Sequence, residues 1–262
     1  MKVITLLENK SNTNLEPKHG LCIYIETEKH KILFDLGPDD TFIKNAKLKG
    51  IDLSKVDTVI ISHGHVDHGG GLKAFFEINK TATIYMQKTA FNKHYVKVMF
   101  LKWPVGIDKK LIANKQIKTI EGNYAIDEEL YLFTTTGNKL PSPMNSNLLK
   151  EDKKLDNFVH EHNLIIKENK NLLIMGCGHK GVINILESCP TQIDTCIGGF
   201  HISDPITNKD VDEEYMDKLI KALEKYDVEF YTCHCTGTSC FNYLSSKMSN
   251  IKYLSCGMEL NL

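Results

Sequence analysis

Arginine is missing from this chain of 262 residues, and all 32 of its basic side chains are lysine. No guanidinium fork is therefore available to clamp a phosphate or carboxylate. An anionic ligand must be held by lysine, histidine, metal, hydroxyls or backbone N–H groups. An excess of one charge is missing too. The acidic residues number 33, the formal net charge is -1 and the pI is near 6.8. That balance argues against a basic nucleic-acid footprint and a polybasic membrane patch. Long apolar runs are absent. After Lys2 only five uncharged residues precede Glu8, too few for a signal-peptide core, and nothing approaches a membrane span. The expectation is a cytoplasmic protein. The eight cysteines include no CxxC pair, and without a secretory signal they are expected to be reduced thiols. Cys233, Cys235 and Cys240 cluster, but without the spacing of a closed zinc site. There is one tryptophan, Trp103, and no G-x-S-x-G elbow for a serine nucleophile.

What is present reads as layered α/β. VITLLE, LCIYIET and HKILFDLG have strand character, the last ending at Gly37-Pro38. DDTFIKNAKLKG is helix-compatible and closes at Gly50. KVDTVIIS is a strand-length apolar run, LKAFFEI reads as helix and TATIYMQ as strand. Later, NLLIMGCGHKGVINIL, DTCIGGFH and VEFYTCHCTGTSCFNYL each pair a strand with a polar Gly, Cys or His turn. The recurrence is structural, since no strict repeat exists. In such folds ligands sit beyond the carboxyl ends of strands. Four strand ends deliver histidine: the 63–68 cluster, His179, His201 and His234. Residues 88–118 and 137–162 read poorly as regular elements and are candidate lids.

The stretch ISHGHVDHGGG concentrates this chemistry. In extended backbone, residues i and i+2 point the same way, so His63 and His65 can share one metal ion. Asp67 and His68 can then face a second. Imidazole and carboxylate suit zinc, iron or manganese. The glycines at 69–71 are expected to let backbone approach the site and leave it open.

SHGHVDHGGG resembles the H-x-H-x-D-H motif of the metallo-β-lactamase superfamily, and the resemblance runs along the whole chain. LLIMGCGHKGVINIL, IGGFH and CHCTG are similar to a branch of metal-dependent hydrolases. Some members of that branch are named as dihydropterin–aminobenzene ribofuranosyl phosphate synthases of methanopterin biosynthesis. The resemblance implies one domain over 1–262, a four-layer αββα sandwich, with a one- or two-metal site. It implies His63 and His65 at a first metal, Asp67, His68 and His234 at a second, and Asp35 in support. The third histidine of the first site stays open. His179 is favoured, with Cys177 in the place of a bridging aspartate; His160 or His162 is the alternative. His201 is a candidate catalytic group. His19, His30 and His94 have no such context and read as ordinary surface or packing residues.

The implied chemistry is a metal-activated hydroxide attacking a small ester or phosphoester, with Asp67 orienting it. Two divalent ions are expected, zinc first, iron or manganese otherwise. A pterin-coupling transferase and an iron-dependent oxidoreductase are the competing readings, because one motif serves several reactions. The expected partner is a small anionic molecule rather than nucleic acid or membrane. Thr236 and Thr238, in HCTGTS at a helix start, and Lys180 are candidate anion contacts.

Overall fold

The computed structural model describes residues 1–204 and 209–262. The chain forms two compact units. The first comprises Met1–Gly122, Leu148–His160 and Ser255–Leu262; the second comprises Asn123–Asn147 and Glu161–Leu254. Each contains one seven-stranded sheet.

In the first unit the strand order is Glu259–Asn261, Lys2–Leu7, Cys22–Glu26, Lys31–Phe34, Thr58–Ile60, Thr83–Gln87, Ile117–Ile120. The first four strands pair antiparallel, and from Lys31–Phe34 onward the pairing is parallel. Parallel neighbours need a crossover, and helices Thr41–Leu48 and Leu72–Ile78 lie in two of the crossovers. Their apolar residues Phe42, Ala46, Leu72 and Phe75 pack with Leu33, Val59 and Ile84 of the sheet. Thr41–Leu48 stops where Gly50 turns left-handed at φ 69°, a conformation glycine adopts without steric cost. A smaller three-stranded sheet joins Leu148–Leu149, Tyr95–Val98 and Leu101–Pro104.

The second unit repeats the scheme in the order Ile251–Tyr253, Glu229–Thr232, Thr195–Gly198, Asn171–Ile174, Asn163–Lys167, Leu130–Phe133, Tyr124–Ala125. Its parallel strands, Asn171–Ile174, Thr195–Gly198, Glu229–Thr232 and Ile251–Tyr253, are linked through helices Val182–Ser188, Glu213–Leu223 and Thr238–Lys247. The three helices bury Ile185, Leu219, Ile220, Leu223 and Leu244 against Leu173, Cys196 and Phe230.

In both units several of the parallel strands end in histidine- or aspartate-bearing turns. Asp35 follows Lys31–Phe34 and His63 follows Thr58–Ile60. In the second unit Cys177 and His179 follow Asn171–Ile174, His201 follows Thr195–Gly198, and His234 follows Glu229–Thr232.

Candidate metal centre

The first unit carries the H-x-H-x-D-H turn, and one carboxylate organises it. Asp35 Oδ1 accepts the Ser62 N–H at 2.7 Å, and Oδ2 accepts the Ser62 hydroxyl at 2.8 Å and His68 Nδ1 at 2.6 Å. Asp35, Ser62, His63 and His68 are all fully buried. An ionised carboxylate only accepts, so His68 carries its hydrogen on Nδ1 and its lone pair on Nε2. Ser62 has spent its one hydrogen on Asp35, so its oxygen accepts from His63 Nδ1 at 2.9 Å. His63 therefore also presents a lone pair at Nε2. This is the device by which outer groups fix the tautomer of a metal-binding imidazole.

His63 Nε2 meets His65 Nδ1 at 3.1 Å. A tetrahedral zinc with bonds near 2.05 Å would space two ligand nitrogens by about 3.3 Å, so the pair has the bite of one cation. Burial, with His160, His94 and His68 close by, holds the His65 imidazole well below the ordinary histidine range. The neutral form is the one that binds metal. Asp67 Oδ2 lies 3.6 Å from His68 Nε2 and 3.3 Å from His19 Nε2. His19, expected to be ordinary, thus sits beside the aspartate of the motif.

The glycines let neighbouring backbone approach the turn, as expected. A Cβ on Gly69 would lie 2.3 Å from Ile107, one on Gly70 2.3 Å from the Pro38 carbonyl, and one on Gly71 2.4 Å from the Leu36 carbonyl. They admit close packing beneath the turn.

His94 is a second correction. It is 3% exposed, and its Nδ1 contacts Asp156 Oδ2 at 2.9 Å. Its ring lies tilted against that of His160, with 4.0 Å between centroids. Burial would raise the Asp156 carboxyl, but hydrogen bonds from His160 and His94 outweigh it and hold it well below the usual carboxylate range.

In the second unit, Asn145 pins His179. Its amide donates to the His179 carbonyl at 2.7 Å, and its oxygen meets His179 Nδ1 at 3.0 Å. The His179 lone pair is again on Nε2. Glu161, 1% exposed, accepts the N–H groups of His179 at 2.8 Å and Lys180 at 3.0 Å. Burial pushes its carboxyl up against the pull of those donors. The His201 ring is 4.1 Å from that of His179, its carbonyl accepts the Ser142 hydroxyl, and among the described residues its two buried ring nitrogens make no geometric hydrogen bond, Cys235 being their electrostatic neighbour. Such a ring suits a cation or a polar ligand. The donor atoms of Cys177, His179 and His201 lie within 4.8 Å of one another, as do those of Cys177, His234 and Cys235. Burial opposes ionisation of Cys235, but Cys177, His201 and His234 around it favour the thiolate and bring its thiol well down. Asp35, His201 and His234 have φ of 59°, 47° and 51°. Left-handed backbone at non-glycine residues is costly and concentrates at functional sites.

The anion contacts fare unevenly. Thr236 is buried, and its hydroxyl accepts the Phe200 N–H at 2.9 Å while also contacting Thr232. Thr238 opens the helix Thr238–Lys247 and is only partly buried. The supporting residues Ser62, His94, Asn145, Asp156 and Glu161 were missed by motif reading.

The metallo-β-lactamase superfamily model matches residues 15–179. This chain belongs to the metallo-β-lactamase superfamily. It is an enzyme of that superfamily, with a mixed α/β fold. An uncharacterized protein of Methanocaldococcus jannaschii is 26% identical over 262 residues, 98% of each chain. The 7,8-dihydropterin-6-methyl-4-(β-D-ribofuranosyl)-aminobenzene-5′-phosphate synthase of the same organism is 30% identical over 268 residues, 90% of this chain and 88% of the synthase. A solved metal-dependent hydrolase of the β-lactamase superfamily matches with TM-score 0.84 at 26% identity, covering 100% of this chain and 99% of that one. Zinc-bound PqqB of Methylobacterium extorquens shares the fold at TM-score 0.60 and 13% identity, over 100% of both chains. Proteins of this fold bind metal ions, and the donor sets above are candidate metal sites.

Proposed function

We propose that the chain is a metal-dependent hydrolase of a small anionic ester or phosphoester, working with two divalent ions, zinc by preference. The observation that carries this reading is the 3.1 Å convergence of His63 Nε2 and His65 Nδ1 beside His68, with Asp35 fixing the tautomers. On the motif, we assign His63 and His65 to one ion and Asp67 and His68 to the other, and keep His179 and His234 of the second unit as further candidate ligands. Cys177 stands next to His179, and its thiol tilts the donor set toward zinc over manganese. Bound cations of this kind polarise an ester oxygen and lower the pKa of water toward neutrality.

The chain's own groups supply the rest. Asp67, with half-exposed His19 3.3 Å from its Oδ2, would orient the attacking water. His201, its ring nitrogens buried beside the His179 ring and the Cys235 thiol, would face the substrate. Lys180 and Thr238 receive the anionic group; Thr236 supports the backbone at Phe200 instead. The hairpin Tyr95–Pro104 is rooted beside the motif, since Val105 N–H donates to the His94 carbonyl at 2.9 Å and Val66 N–H to the Val105 carbonyl at 2.7 Å. Its exposed Phe100 and Trp103 make it a lid that closes on substrate. The partner is a small molecule, not nucleic acid or a membrane, and we place the enzyme in the cytoplasm. No helix among the described residues is long and apolar enough to cross a membrane.

The relative named as a synthase favours one second reading, coupling of a dihydropterin to an aminobenzene ribofuranosyl phosphate. The test begins with elemental analysis of protein purified without added metal. A panel of phosphodiesters and lactones follows, with and without chelator, beside a coupling assay with those two substrates. Chelator-sensitive hydrolysis is expected. Coupling without hydrolysis would replace the hydrolase with the transferase, and full activity after complete metal removal would sink both.

A further inference from the structure

Gly64 lies between the two histidines whose nitrogens converge, and its backbone is held from outside the motif. Its N–H donates to His160 Nδ1 at 2.9 Å. A ring nitrogen that accepts carries no hydrogen, so the hydrogen of neutral His160 is on Nε2, which faces Asp156 Oδ2 at 3.3 Å. His94 Nδ1 reaches the same oxygen at 2.9 Å, and Asp156 Oδ1 accepts the Phe158 N–H at 2.8 Å. The side chains of His94, Asp156 and His160 are 3%, 2% and 1% exposed.

His94 also approaches Gly64. A Cβ on Gly64 would lie 2.8 Å from His94 Nε2 and 2.3 Å from the Ala90 carbonyl. The space a side chain at position 64 would need is filled, so the backbone of residue 64 is gripped on both sides. The rings of His94 and His160 stand 5.6 Å and 5.5 Å from that of His65.

The donor atoms of His65, His94, Asp156 and His160 lie within 4.8 Å of one another, which as a bare inventory reads as a further cation site. The hydrogen bonds argue otherwise. His160 has committed both nitrogens, one to Gly64 and one to Asp156. His94 has committed Nδ1. What remains is a buried, directional chain from Asp156 through His160 to the peptide between two metal-facing imidazoles.

We infer that His160, oriented by Asp156 and backed by His94, is a positioning residue that sets the bite between His63 and His65 by holding the backbone of residue 64. The inference rests on the reading that His63 and His65 hold a metal ion.

The two nitrogens of His160 can be replaced one at a time. In His160→Asn the amide oxygen falls near Nδ1 and can still accept the Gly64 N–H. In His160→Gln the amide falls near Nε2, so contact with Asp156 survives and the hold on Gly64 is lost. Cobalt(II) affinity is measured by competition with a chromophoric chelator, with the d–d spectrum of the cobalt-loaded protein and the melting temperature of the metal-free protein alongside. His160→Gln is expected to weaken cobalt binding about 10-fold or more and to change the d–d band, as loss of an outer partner does elsewhere. His160→Asn is expected to keep most of the affinity and the band. Asp156→Asn, measured in the same way, is expected to shift both in the direction of His160→Gln, and keeps the test open if one His160 variant does not fold. Unchanged cobalt affinity and spectrum in both His160→Gln and Asp156→Asn overturn the inference. So does equal loss in His160→Asn and His160→Gln in step with melting temperature, which is what packing alone would give. A His63→Ala/His65→Ala variant separates the two failures. If it keeps cobalt, the metal assignment itself falls, and the inference with it. If it loses cobalt while His160→Gln and Asp156→Asn keep it, only the positioning role falls.

Discussion

Asp35 accepts hydrogen bonds from the Ser62 N–H, the Ser62 hydroxyl and His68 Nδ1, and this makes Asp35→Asn a sharp probe of the site. Asparagine tolerates the left-handed φ of 59° found there, so the backbone has no reason to move. The new amide group would set donor against donor at Ser62 or His68. Relief comes if His68 moves its hydrogen to Nε2, which takes away the lone pair a cation needs. The expected result is about a 10- to 100-fold loss of zinc affinity by chelator competition with the fold intact by circular dichroism. Asp57→Asn, at a carboxylate outside the motif that meets His30 Nδ1, the Lys31 N–H and the Thr58 hydroxyl, is the control. His94 cannot serve as one, since it belongs to the support of the motif. Equal zinc affinity in both variants would show that Asp35 does not act through His68. The ligand-type residues of the turn were legible because short-range spacing encodes them. Ser62, Asn145, Asp156 and Glu161 were not, because a buried hydrogen-bond partner has no local signature. Its identity depends on what the fold brings near it.

At the scale of elements, strands and helices that flank the site were readable from apolar runs between turn residues. Leu72–Ile78 coincides with the LKAFFEI segment, and Thr41–Leu48 ends at the glycine that signalled it. The hairpin Tyr95–Pro104 was not readable. Its strands place Lys97 opposite Lys102 and Val96 opposite Trp103, a pattern that appears only once the turn is known. The helix Glu213–Leu223 carried a signal that went unread. Met216, Leu219, Ile220 and Leu223 recur at helical spacing and are buried, behind a first turn bearing Glu213 and Glu214. Asp212 caps it by accepting the Tyr215 N–H at 2.8 Å. The cap is exposed and far along the chain from any metal-facing residue, so its loss should touch stability alone. Asp212→Ala is expected to lower the unfolding free energy by about 1 kcal/mol and to leave bound metal unchanged. Urea melts with elemental analysis would check both. A metal loss without a stability loss would contradict the packing role given to this helix.

For the whole molecule, the eight thiols set how stability depends on alkaline pH. All are reduced thiols and seven are buried. Burial pushes Cys240 up to about 12 and Cys256 up to about 11, and raises Cys22, Cys189 and Cys196 as well. Tyr215 is pushed up to about 12 by the same cause. In the unfolded chain a thiol ionises near pH 8.5 and a tyrosine near 10. Above about pH 8.5 the unfolded chain has released thiol protons that the native state still holds. It then binds fewer protons than the native state, so the unfolding free energy falls as pH rises. Cys235 works the other way, because against its burial Cys177, His201 and His234 favour the thiolate in the folded chain, but it is one thiol against five. Each thiol that stays protonated steepens the fall by up to about 1.4 kcal/mol per pH unit. The urea midpoint of the reduced protein is therefore expected to drop steadily between pH 8 and pH 11. Cys196→Ala starts lower, because it opens a small cavity in the core around Leu173 and Phe230. Its slope with pH should nevertheless be shallower than that of the unaltered chain. Parallel slopes for the two proteins would mean that Cys196 ionises alike in both states, and that its burial does not shape the alkaline limit of the fold.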